Sequence, residues 1–206
     1  MKKITILISI LISPVSGAQN ISLAEAALER THHKVRYVPA YVAIPYPNGD
    51  VPADTGVCTD VIIRSFRKLG IDLQREVHED ISDDFQAYPS KRIWGLSRPD
   101  RNIDHRRVPN LQAFFTRKEL SLPITHKTND YLPGDIVTWV LPGGLPHIGI
   151  VSAKLSQNTN RYFIVHNIGA GPVLEDILFS YKVTGHYRYD TDLVKEPSTS
   201  IQGRRN

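Results

Sequence analysis

The spacing of apolar residues changes character near Gly134. Upstream of it, apolar positions recur at helical intervals. From Ile21 to His33, Ala24, Ala27 and Leu28 share one face, which predicts a helix. Val57 to Leu69 is the clearest helix: Cys58, Ile62, Phe66 and Leu69 form a stripe, while Arg64, Arg67 and Lys68 fall largely elsewhere. Asp54 or Thr55 is placed to cap its start, and Gly70 its end. Between these helices, Val35 to Ile44 is β-branched and aromatic but is interrupted by Pro39 and bounded by Pro45. That pattern fits a short strand or an extended segment. Tyr46 to Gly56 is turn-rich. Asp80 to Leu96 is mixed, with room for a short helix. Arg98 to Asn110 reads as a charged loop, Leu111 to Arg117 as a short helix capped by Asn110, and Pro123 to Pro133 as irregular. Beyond Gly134 the period becomes two. Asp135 to Leu141, His147 to Leu155, Arg161 to Asn167 and Thr184 to Asp190 read as strands joined by glycine-containing or polar turns. Helices followed by strands predict an α+β domain with an antiparallel sheet.

The two ends of the 206-residue chain differ from this pattern. Met1 to Ala18 combines Lys2 and Lys3, an apolar run from Ile4 to Ile12, Pro14 and the small residues Ser16-Gly17-Ala18. This is the layout of a cleavable secretory signal peptide. Residues 1–18 are therefore expected to be a leader, 19–190 the domain, and 191–206 a polar tail. No cysteine follows the apolar run, which excludes lipoprotein processing. No other stretch approaches the length of a bilayer span, so the chain is expected to be periplasmic or secreted with no integral span after cleavage. The 25 basic and 21 acidic residues give +4; losing Lys2 and Lys3 leaves 23 against 21, or +2. That balance, without a Lys/Arg block, excludes a nucleic-acid partner.

Export changes the meaning of the single cysteine, Cys58. It cannot form an internal disulfide or a cysteine-based zinc site, and exported chains usually pair their cysteines or lack them. Cys58 falls in the first turn of the clearest helix, where unpaired N–H groups and the helix dipole favour a thiolate and can bind an oxyanion. The chain has eight histidines. His147 opens a strand, with Gly149 and Val151 on its face, and His166 ends the next. Two adjacent strands thus offer a general base and a residue to orient it. Asn167 takes the orienting role if the register differs by one. Asp60 has either a functional role or a structural one, through Arg64 or a neighbouring loop. The stretch Asp100 to Arg107, with Asp104, His105 and Arg106, is either an arginine clamp for substrate carboxylates or a self-satisfied loop. No local metal-ligand spacing occurs, so neither metal nor cofactor is expected.

Pro133-Gly134-Asp135-Ile136-Val137 and His147-Ile148-Gly149-Ile150-Val151, with a cysteine at a helix start, resemble the NlpC/P60 group of papain-like cysteine peptidases. Val57-Cys58-Thr59-Asp60 departs from that group's Asp-Cys-Ser-Gly. The chain is still more similar to the exported bacterial family DUF1287, through Thr55 to Asp60, Asp100 to Arg107 and His166 to Gly169. The resemblance covers roughly Ala24 to Tyr189. It implies a papain-like fold with the nucleophile helix packed on the sheet, Cys58 as nucleophile, His147 as base and His166 as third residue. Tyr46 is the corresponding tyrosine near the oxyanion. The implied substrate is an amide bond in the stem peptides of peptidoglycan. An acyltransferase or transpeptidase using the same residues, or a non-catalytic cell-wall-binding module, are the alternatives. Oligomeric state is not legible in the sequence.

Overall fold

A computed structural model describes residues 22–189. The expected leader and tail lie outside these residues. Five helices precede a five-stranded sheet. The first helix, α1 (Leu23–Arg30), opens on a reciprocal cap: the Glu25 N–H donates to Ser22 Oγ at 3.2 Å and the Ser22 N–H to the Glu25 carboxylate at 2.7 Å. Two two-residue strands, β1 (Arg36–Tyr37) and β2 (Thr55–Gly56), pair in parallel, with Tyr37 opposite Gly56. Strand β1 is all that forms of the strand expected within Val35 to Ile44, and β2 lies in the stretch read as turn-rich.

Helix α2 (Cys58–Lys68) follows directly. It is not capped by Asp54 or Thr55: Val57 occupies the cap, and the Asp60 carboxylate accepts the Val57 N–H at 2.6 Å. Asp54 is instead paired with Arg36. The helix ends as expected at Gly70, whose φ of +82° suits glycine. The Ile71 N–H reaches Phe66 O and the Gly70 N–H reaches Arg67 O, satisfying two terminal carbonyls. The amphipathic reading underestimated its burial. Every residue from Cys58 to Phe66 is buried, including Arg64, which pairs with Asp50 rather than with Asp60.

Helix α3 (Leu73–Asp83) lies largely where the sequence pattern assigned no element; Asp72 caps it by accepting from Gln74 and Arg75 N–H groups. Its apolar stripe is Leu73, Val77 and Ile81. Helix α4 (Ser90–Trp94) is the short helix expected before Leu96. Helix α5 (Val108–Arg117) starts before Asn110, with Pro109 in its first turn.

The sheet comprises β3 (Ile136–Val140), β4 (Pro146–Leu155), β5 (Tyr162–His166), β6 (Val173–Glu175) and β7 (Lys182–Tyr187). The order is β6-β5-β4-β3-β7 and every pairing is antiparallel. The strands match expectation except β6, which the sequence pattern did not reveal. One face carries Ile136, Ile148, Ile150, Val165 and Tyr187 and packs on the helices with Val61, Ile62 and Phe115. The other carries Val137, Trp139, Val151 and Ile164, and is covered by Tyr131, Ile177 and Leu178. Trp139 Nε1 donates to Leu178 O at 2.9 Å, tying that cover down.

Candidate active site

Cys58 is the first residue of α2 and is buried. Its sulfur is held by the end of a strand rather than by a histidine. Along β4, Val151 directs its N–H and C=O toward Asp135 and Gly134 at the β3 side, at 2.8 Å each. Residues of opposite parity therefore point toward β5. But β5 stops at His166, opposite Gly149, so the N–H of Ile148 has no strand to bond. It faces the Cys58 sulfur, as does the N–H of Thr59. The nucleophile candidate thus lies beside the end of β5, next to the residue that follows His147.

The two histidines sit differently from expectation. Trp139 pairs with His147 and Gly149 with His166, so both rings lie on the face that carries Trp139 and Ile164. That is the face turned away from α2. The thiol does not look at the imidazole across a helix–sheet interface; what it meets is the Ile148 N–H, one residue on from His147. The His147 ring leans toward that strand, with Nε2 at 3.1 Å from His166 Nδ1. His166 Nε2 lies 3.1 Å from Glu175 Oε2 on β6. Gly149 permits this, since a Cβ there would come within 2.6 Å of the Ile164 side chain and 3.1 Å of His166 Cβ. Among the described residues, no hydrogen bond joins the thiol to the imidazole, and the bond His147 makes to His166 uses Nε2.

Burial sets the charges. Desolvation pushes the Cys58 thiol up to about 12, against the downward pull of the Ile148 and Thr59 N–H groups. The helix start alone therefore does not make a standing thiolate. Desolvation, and then the neighbouring His166, lower His147 to about 3. Desolvation also lowers His166, opposed by Glu175. At rest the site is a neutral thiol beside neutral imidazoles.

The remaining candidates divide by position. Asp60 and Arg106 form an ion pair, both side chains 3% exposed, with Nε to Oδ1 and Nη2 to Oδ2 each at 2.9 Å. Thr59 Oγ1 adds a bond to Arg106 O at 3.1 Å. Asp104 is fully buried, accepts the Asp100 N–H at 2.5 Å, and is pushed up to about 6 by desolvation. His105 is buried and driven down to about 3, again by desolvation. Asp104, His105 and Arg106 are buried and brace the start of α2 from within, as in the self-satisfied alternative for this stretch. Arg107 is the outward member, 4.0 Å over the half-exposed Trp94 ring.

Tyr46 is also displaced. It stacks edge-on against His78 of α3, with Arg101 over its ring, and its phenol answers to charges on Glu79, Asp72, Arg75 and Arg101. The tyrosine beside the thiol is Tyr37: desolvation and then the charges of Cys58 and Asp60 raise its phenol. Its pairing opposite Gly56 brings it there. Asn167 faces the helices, where its Oδ1 accepts the Gly169 and Gly171 N–H groups at 3.0 and 3.2 Å. His166, not Asn167, reaches His147.

Sequence reasoning missed Tyr37 and Glu175. No local pattern marks Glu175, because Val173-Leu174-Glu175 is short and does not alternate. Among the described residues, no three His, Cys, Asp or Glu side chains converge as a metal site, and no helix is long and apolar enough to cross a membrane.

A mixed α/β domain with helices on one face of an antiparallel sheet, and a buried cysteine beside a paired-histidine strand end, is what the coordinates define. The chain belongs to the family described as Domain of unknown function (DUF1287), whose pattern matches residues 24–189. It is 48% identical over 175 residues to an Escherichia coli (strain K12) protein called "Uncharacterized protein YijF", covering 85% of this chain and 84% of that one.

Proposed function

We propose that this protein is an exported cysteine hydrolase of papain-like, NlpC/P60 type that cleaves an amide bond in peptidoglycan stem peptides. The observation that carries this reading is the seat of Cys58. It lies at the first position of a helix, against the N–H that follows His147, while His147 is itself held by His166. In this reading His147 Nδ1 takes the thiol proton as Sγ bonds to the carbonyl carbon. The carbonyl electrons move onto oxygen, and the N–H groups of Cys58 and Thr59, which reach no protein oxygen, stabilise the oxyanion. The imidazolium then protonates the departing amine, leaving a thioester. Water, deprotonated by the same imidazole, releases the acid and restores the thiol.

The burial shifts on Cys58 and His147 oppose each charge formed alone. A proton passing between them forms both charges together, and in a site of low dielectric each offsets the desolvation of the other. The arrangement therefore favours proton transfer coupled to attack over a standing ion pair.

The test incubates purified peptidoglycan with the protein lacking residues 1–18 and with its Cys58→Ala form, followed by mass spectrometry of released fragments. New peptide fragments from the first alone are expected. Equal fragments from both, or none from either, overturn the reading.

A further inference from the structure

We infer that Glu175 is a positioning residue that selects the ring tautomers of His166 and His147, leaving His147 Nδ1 as a lone pair; this rests on the role proposed for His147. The argument follows the hydrogen bonds outward in. A carboxylate only accepts, so the 3.1 Å contact between Glu175 Oε2 and His166 Nε2 requires the proton on Nε2. Burial keeps His166 toward its neutral form, and a neutral imidazole carries one N–H. His166 Nδ1 is then an acceptor. Its 3.1 Å partner, His147 Nε2, must be the donor. His147, also neutral, is left with an unprotonated Nδ1, the nitrogen not engaged with His166.

Each step is forced by the one before, and the sequence of steps starts at Glu175. Without an acceptor there, His166 is free to carry its proton on Nδ1 and donate inward. His147 then accepts at Nε2 and holds its proton on Nδ1, where it cannot serve as a base. Glu175 is half-exposed on the edge strand β6, so its replacement removes little packing. It touches neither the thiol nor the expected substrate position; it acts only through His166.

The experiment uses the full chain with ¹⁵N-labelled histidine, read at pH 7 by long-range ¹H–¹⁵N correlation, which assigns each ring as Nδ1–H or Nε2–H. His147→Gln and His166→Gln variants assign the signals. The parent is expected to show Nε2–H at both rings. Glu175→Gln, whose carbonyl still accepts, is expected to keep that pattern. Glu175→Lys, whose ammonium donates, is expected to invert both rings and to lower kcat about 100-fold, the scale of a lost general base, with KM little changed. A parent with Nδ1–H at His147 overturns the inference, and needs no variant to fold. So does a Lys variant with native amide dispersion and unchanged tautomers. The tautomer readout involves no substrate, so absence of peptidoglycan cleavage in the parent refutes the hydrolase reading separately.

Discussion

The ion pair between Asp60 and Arg106 offers a stringent test of how the start of α2 is held. Replacing Arg106 by Met keeps most of the side-chain volume but leaves the Asp60 carboxylate 3% exposed, with only the Val57 N–H at 2.6 Å as partner. Both bonds of the fork, at 2.9 Å each, are lost. Removing one partner of a buried pair costs about 3–5 kcal/mol, because the other charge stays desolvated. For a domain of this size, about 2–4 °C per kcal/mol predicts a melting temperature lower by about 6–20 °C. The assay is urea unfolding followed by tryptophan fluorescence, with thermal unfolding alongside. The double variant Asp60→Asn with Arg106→Met removes the stranded charge while keeping an acceptor for the Val57 N–H. It should recover about 1–3 kcal/mol of the loss, the range of coupling found between contacting residues. An Arg106→Met protein within about 1 kcal/mol of the parent would refute the claim that this pair is desolvated and structural.

Two further outcomes follow from the burial of single groups. With its thiol pushed up to about 12, Cys58 should be alkylated by iodoacetamide at a rate that keeps rising from pH 7 to 10 without a plateau. A plateau with a midpoint at or below about 8.5, the value of a free thiol, would show that burial does not dominate. Asp104 sits at about 6 in the folded protein against 3.8 for the unperturbed group, so its ionisation opposes folding at neutral pH, and the penalty fades as pH falls from about 6 to about 4. Asp104→Asn should therefore unfold later than the parent at pH 7.5, by up to about 3 kcal/mol, with the gap closing near pH 4.5; a gap independent of pH removes the assignment.

Period-two alternation made the strands legible, and Gly70 made the end of α2 legible, because both depend on local pattern. Cys58 and His147 stood out for the same reason, each at the start of a strongly periodic element. What escaped depends on pairing across the fold. The partner of Asp60 proved to be Arg106, 46 positions away, instead of Arg64 one helical turn on. The choice of Tyr37 over Tyr46 follows from a two-residue pairing with Gly56 that no propensity signals. Strand β6 is three residues long, shorter than any window in which alternation is distinguishable from chance. And the face on which the histidines lie depends on which parity of β4 packs on the helices, which Ile148 and Ile150 decide by their size.

The meander β4-β5-β6 has a consequence for when the molecule becomes complete. His147, His166 and Glu175 lie on three consecutive strands, so their mutual contacts close over short stretches of chain. Cys58 comes from a helix on the far side of a long intervening segment. Synthesis delivers that helix first and the strands last. The nucleophile candidate therefore exists for most of the time of synthesis without a neighbouring base, and any chain stopped before His147 carries an ordinary thiol. Assembly of the site coincides with docking of the strand end at Ile148 onto α2, a long-range contact of the kind that is slow to form. If the proposed chemistry is correct, activity is reserved for the finished fold, and partly made chains are inert by construction.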